Sequence, residues 1–107
     1  NFRTMRILTF LLFSLLVHSQ RVTVYQINAD WNSKNTLELN LKNCKYIYAD
    51  IDDLAIKIKS QIKSLPTILI YKEGKNRRQY MAGIDMKLNV REEEIQNFIN
   101  SLNDKEL

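Results

Sequence analysis

A chain of 107 residues carrying a net charge of +4 has room for one hydrophobic core. With 45% apolar and 26% charged residues, two glycines and one proline, it has the composition of a folded domain. One cysteine, Cys44, and one histidine, His18, exclude an intramolecular disulfide and a Cys/His metal cluster, and the modest charge does not by itself argue for nucleic acid.

Residues 5–20 start with Met5 and Arg6, run apolar from Ile7 to Val17 and reach Ser19, the order of a secretory signal. The apolar run is too short to span a bilayer, which takes ~20 residues. The competing reading is a structural helix over 6–18. Such a helix is apolar nearly all round, so Ile7, Phe10, Leu11, Phe13 and Leu15 would face a partner protein or a membrane surface. Compartment follows from this choice: an intracellular complex if 5–19 is retained, the endoplasmic reticulum or secretory pathway if it is a cleaved signal.

Residues 21–28, rich in β-branched and aromatic side chains, read as a buried strand. Leu37, Leu39 and Leu41 recur at a spacing of two, which suits a strand, while the following Lys42-Asn43 favours a short helix over 33–43. Residues 45–50 are the next strand. Asp52 and Asp53 then offer N-caps for a helix over 54–64, with Leu54, Ile58 and Ile62 on one face. Strands at 67–72 and 76–82 flank Glu73-Gly74-Lys75, a hairpin signal. The last helix has Asn89 as its cap, Glu92 three residues on, and a buried stripe of Ile95, Phe98, Ile99 and Leu102.

Four motifs punctuate this order. They are Ala29-Asp30-Trp31-Asn32-Ser33-Lys34-Asn35, Leu65-Pro66-Thr67, Tyr71-Lys72-Glu73-Gly74-Lys75, and Gly83 after the last strand. Together, over about residues 20–102, they resemble the thioredoxin family, whose central strand ends in Ala-x-Trp-Cys-x-x-Cys and whose facing loop carries a cis-proline followed by Thr. The resemblance implies an α/β thioredoxin-like fold: a central mixed sheet flanked by helices, without the first edge strand, over residues 20–107 after an apolar segment at 1–19. It also implies a cis Leu65-Pro66 bond beside a shallow apolar groove for extended chains, formed by Trp31, Asn32, Asn35, Leu65, Pro66 and Thr67. From Trp31 to Asp52 the chain is shorter than in the family, so the helix after the motif must be shortened.

The chemistry of that family is missing. Disulfide exchange needs an attacking thiolate and a resolving thiol; Asn32 and Asn35 stand at both cysteine positions. Gln26 occupies the position of the family's buried acid and cannot titrate. Ser33 and Lys34 have no evident base or orienting acid, and nothing marks Cys44 as an activated thiol. Lys57, Lys59, Lys63, Lys72, Lys75, Arg77 and Arg78 fit a solvated face or an acidic protein partner better than nucleic acid. The expectation is a non-enzymatic, redox-inactive structural or assembly subunit without a cofactor, working through protein partners. The alternative is a secretory-pathway peptide-binding or chaperone domain resembling the non-catalytic domains of protein disulfide isomerases.

Overall fold

The computed structural model of the protein describes residues 21–104. The signal and helix readings of residues 5–20, including Ile7, Phe10, Leu11, Phe13 and Leu15, lie outside them. Strands β1 (Thr23–Asn28), β2 (Lys45–Asp50), β3 (Thr67–Lys72) and β4 (Lys75–Met81) form one sheet in the order β2-β1-β3-β4. β1 pairs parallel with β2 and antiparallel with β3, and β3 pairs antiparallel with β4. This is the mixed sheet of the thioredoxin-like fold.

The central strands follow from their residues. Val22 and Val24 of the β1 run point to one face with Ile68 and Ile70 of β3, where they meet Ile95, Ile99 and Leu102. Those three lie on helix α2 (Glu92–Asp104), at the spacing that makes one helical stripe. The same stripe carries half-buried Phe98, whose ring lies 4.1 Å from the Arg78 guanidinium. Lys72 is buried at the far end of the helix, donating from Nζ to the Leu102 carbonyl at 2.5 Å, where a cation suits the helix dipole. Between β3 and β4 the two-residue turn Glu73-Gly74 has both φ values positive, 55° and 74°. That matches the tight hairpin turn and explains glycine at its second position.

Three helical expectations are corrected. Helix α2 begins at Glu92, so Asn89 does not cap it, and the Glu92 carboxylate accepts from the backbone N–H of Asn40 instead of closing a capping box. The helix expected over 54–64 is reduced to a 3-10 turn, Ile51–Asp53, and the single turn α1 (Ile56–Lys59). Asp50 caps the 3-10 turn, accepting from Asp52 N at 2.9 Å, while Asp52 instead pairs with Lys59 at 3.1 Å. Leu54, Ile58 and Ile62 nonetheless share one side: with Tyr25, Ile27, Leu69 and Tyr71 they line an open groove of about 260 Å³ on the second face of the sheet.

The third correction concerns residues 33–43. The motif residues form a 3-10 turn, Asp30–Asn35, after which the chain has no helix before β2. The spacing of two was the physical signal: Leu37, Leu39 and Leu41 all pack onto the core cluster from an extended segment. Its backbone polar groups meet side chains. Gln26 binds Leu37, Glu92 takes Asn40, and Gln96 binds both the N–H and the C=O of Lys42 at 2.8 and 2.9 Å.

Because Ile99 is fully buried between sheet and helix, Ile99→Ala is expected to lower unfolding free energy by about 2–5 kcal/mol. Truncating fully exposed Ile84 should stay within about 0.5 kcal/mol. Urea titrations followed by circular dichroism measure both.

Candidate functional site

The end of β1 and the start of β3 meet at the motif turn. β1 delivers Asn28 and Ala29 as the strand leaves the sheet, and the 3-10 turn that follows places Trp31 outward and Asn32 inward. Trp31 is 68% exposed, whereas Asn32 is buried. Opposite lies Leu65-Pro66, joined by a cis peptide bond. Pro66 is buried, its carbonyl accepts from Ala82 N at 3.1 Å, and Thr67 Oγ1 donates to the Ser64 carbonyl at 2.6 Å. The cis-proline loop is thereby tied to β4 and to its own preceding turn.

Asn32 is the hub. Its Nδ2 donates to Asn28 Oδ1 at 3.1 Å, to the Met86 carbonyl at 3.3 Å and to the Leu65 carbonyl at 3.4 Å. Its Oδ1 accepts from Asn35 Nδ2 at 2.8 Å. Asn28 completes the set, donating to the Asn32 carbonyl at 3.0 Å and to Thr36 Oγ1 at 2.9 Å. One carboxamide therefore links the motif turn, the cis-proline loop and the 83–87 loop, where Met86 holds a left-handed backbone at φ 61°. A thiol, with one weak donor and a weak acceptor, could not make these contacts.

Gln26 works in the same way. Fully buried on β1, it donates from Nε2 to the Leu37 carbonyl at 2.9 Å and to Tyr46 Oη at 2.6 Å, and its Oε1 accepts from Leu37 N at 2.8 Å. An amide presents the donor and the acceptor that Leu37 requires; a carboxylate could still accept from Leu37 N, but its second oxygen would face the Leu37 carbonyl with no proton between them. Burial pushes the Tyr46 hydroxyl above its ordinary range; the Gln26 bond acts against this, and neighbouring Tyr48 adds to it. Burial also raises the Cys44 thiol, which leaves it protonated and a poor nucleophile at neutral pH.

The structure thus brings Trp31, Asn32, Asn35, Leu65, Pro66 and Thr67 to one place, with Trp31 at the surface and Asn32, Pro66 and Thr67 beneath it. Around them stand side chains the sequence reading did not single out. Ile84 is fully exposed and Met86 42% exposed, and both line a shallow depression of about 440 Å³ with Leu65 and Gly83. Gly83 after the last strand was the available signal for that loop. Asn28 was also missed, although its amide lies four residues before Asn32. Ser33 and Lys34 are exposed and, among the described residues, make no hydrogen bond to a titratable side chain, and Cys44 lies apart, packed on the core cluster. Among the described residues no three His, Cys, Asp or Glu side chains converge as a metal site.

No family model and no curated protein matches the chain. Solved structures do. The chain is similar to a mutant thioredoxin from Halobacterium salinarum, at 16% identity over 80% of this chain and 79% of that one, with a TM-score of 0.55. It is similar to the thioredoxin of Schistosoma mansoni, at 18% identity over 84% and 85%, with a TM-score of 0.53. Fasciola hepatica thioredoxin matches at 15% identity over 84% and 89%, with a TM-score of 0.52. At these identities the likeness establishes the thioredoxin-like fold.

Replacing Gln26 by Glu is expected to cost about 2–4 kcal/mol at neutral pH, because a buried carboxylate would face the Leu37 carbonyl. Burial raises its folded-state pKa, so the loss should set in as pH rises through about 4.3 and stability should recover below that value, where the protonated acid donates again. Urea midpoints of Gln26→Glu across pH 3 to 8, read against the parent protein, measure it; a pH-independent loss would contradict the assigned contacts.

Proposed function

We propose that this thioredoxin-like protein is redox-inactive and serves as a protein-interaction module, a structural or assembly subunit that holds partner chains at the Trp31 surface. One observation carries the reading: exposed Trp31 stands on a turn whose cysteine positions hold hydrogen-bonded asparagines, and the first of these, Asn32, binds the Met86 carbonyl of the loop that carries exposed Ile84 and Met86. Large apolar side chains left in water near one another are the usual sign of a binding surface, and tryptophan is the residue most often found at its energetic centre. The shallow depression beside Leu65 would take apolar side chains of an extended segment, and the Asn32 network would keep its walls in place.

Redox inactivity rests on chemistry. Asn32 and Asn35 supply neither an attacking thiolate nor a resolving thiol, and half-buried Cys44 has no second cysteine with which to form a disulfide in the same chain. No cofactor is required by this reading.

Trp31 is the only tryptophan, so its fluorescence reports occupancy of this surface directly. Titration with a chemically unfolded, alkylated protein chain is expected to shift its emission. Binding followed by anisotropy of the labelled chain should weaken about fivefold or more in Trp31→Ala and in Ile84→Asp. In an insulin-reduction assay the protein should match the uncatalysed rate. Turnover that disappears in Cys44→Ala would overturn the redox-inactive reading, and binding indifferent to both surface substitutions would overturn the assignment of the surface.

A further inference from the structure

The two edges of the sheet differ. β4 is protected by Lys75, Arg77 and Arg78, and a register shift between Ile70 and Tyr71 leaves Arg77 with no residue opposite. Cationic side chains and bulges of this kind keep other strands away. β2 has neither. Its middle residues, Tyr46, Ile47, Tyr48 and Ala49, are uncharged, Tyr46 and Tyr48 are 37% and 44% exposed, and among the described residues no strand pairs with its outer side.

The backbone geometry says which groups point outward there. Lys45 N donates inward to the Val22 carbonyl at 2.8 Å, so in the parallel ladder Lys45, Ile47 and Ala49 present their N–H and C=O groups to β1. Tyr46, Tyr48 and Asp50 present theirs outward, and Asp50 keeps an extended backbone, φ −84° and ψ 137°. Charge is polarised along the same segment: Lys42 and Lys45 precede the outward groups, and Asp50, Asp52 and Asp53 end the segment.

We propose that this edge receives a second copy of the chain, β2 pairing antiparallel with β2 about a two-fold axis perpendicular to the sheet. That axis keeps equivalent faces on the same side, so only residues of equal parity come opposite one another. The register that uses every outward group sets Tyr48 against the second copy's Tyr48, and Tyr46 against the second copy's Asp50. Ile47 then meets Ala49 on the opposite face. The basic start of each strand lies beside the acidic end of the other, whereas a parallel pairing would oppose like charges. Edge pairing alone buries little area, so the dimer is weak and concentration-dependent.

Sedimentation velocity on the full chain, from about 10 µM to 1 mM, is expected to show a monomer–dimer equilibrium. Tyr48→Lys, which sets like charges across the axis at an exposed position, should raise the dissociation constant about tenfold, and Gln79→Lys on β4 should leave it unchanged. A second measurement does not depend on the lysine variant. Tyr48→Cys in a Cys44→Ala background should oxidise to a covalent dimer, since directly opposed residues lie within disulfide reach, and Gln79→Cys in that background should not. A protein monomeric throughout, association untouched by Tyr48→Lys, or equal cross-linking from both edges would each overturn the proposal.

Discussion

The structure depends on side-chain carboxamides that take the place of a backbone ladder. After the motif turn the chain from Thr36 to Lys42 runs along the core with, among the described residues, no strand beside it, and backbone laid against a core needs partners for its polar groups. Gln26 supplies both partners of Leu37 from the sheet side. Gln96 supplies both partners of Lys42 from helix α2, and Asn103 Nδ2 donates to the Asn43 carbonyl at 3.1 Å. Leu37, Leu39 and Leu41 can then cover the core without a helix. The short connection between Trp31 and β2 is accommodated in this way.

The same chemistry explains the candidate site. In a dithiol site the first motif position must be accessible and ionisable. Here that position is buried and its side chain is occupied by the motif turn, the cis-proline loop and the loop around Met86. Releasing Asn32 would leave carbonyls in three segments short of a donor, a cost of about 1–3 kcal/mol for each group that water cannot reach. The turn is therefore a structural junction. What it holds outward, Trp31 and the loop with Ile84 and Met86, is the part left free to meet another molecule.

Much of the fold was legible because it rests on patterns confined to single elements. The β-branched runs gave the four strands to within two residues, Glu73-Gly74 gave the hairpin, and the stripe Ile95, Phe98, Ile99, Leu102 gave the last helix. The errors arose where distant residues decide the outcome. Residues 33–43 carry the alternation of an extended chain, but their acceptors and donors lie on β1 and α2, so nothing local resolved the choice against a helix. The expected capping box at Asn89 failed because Glu92 is engaged by Asn40, more than fifty residues away in sequence. At the site, the motif residues were identifiable by type and spacing. Their burial was not, since Asn32 reads as a polar surface residue until Asn28, Leu65 and Met86 are seen around it.

The central claim, that buried carboxamides hold this fold together, is tested most directly by hydrogen exchange of the side-chain NH₂ groups of Gln26, Asn28 and Asn32 in the native protein, followed by NMR. The expected result is slow exchange and dispersed chemical shifts for these three, against fast exchange for the exposed amides of Asn76 and Asn100. Exchange of the Gln26 and Asn32 groups as fast as at the exposed positions would contradict the account.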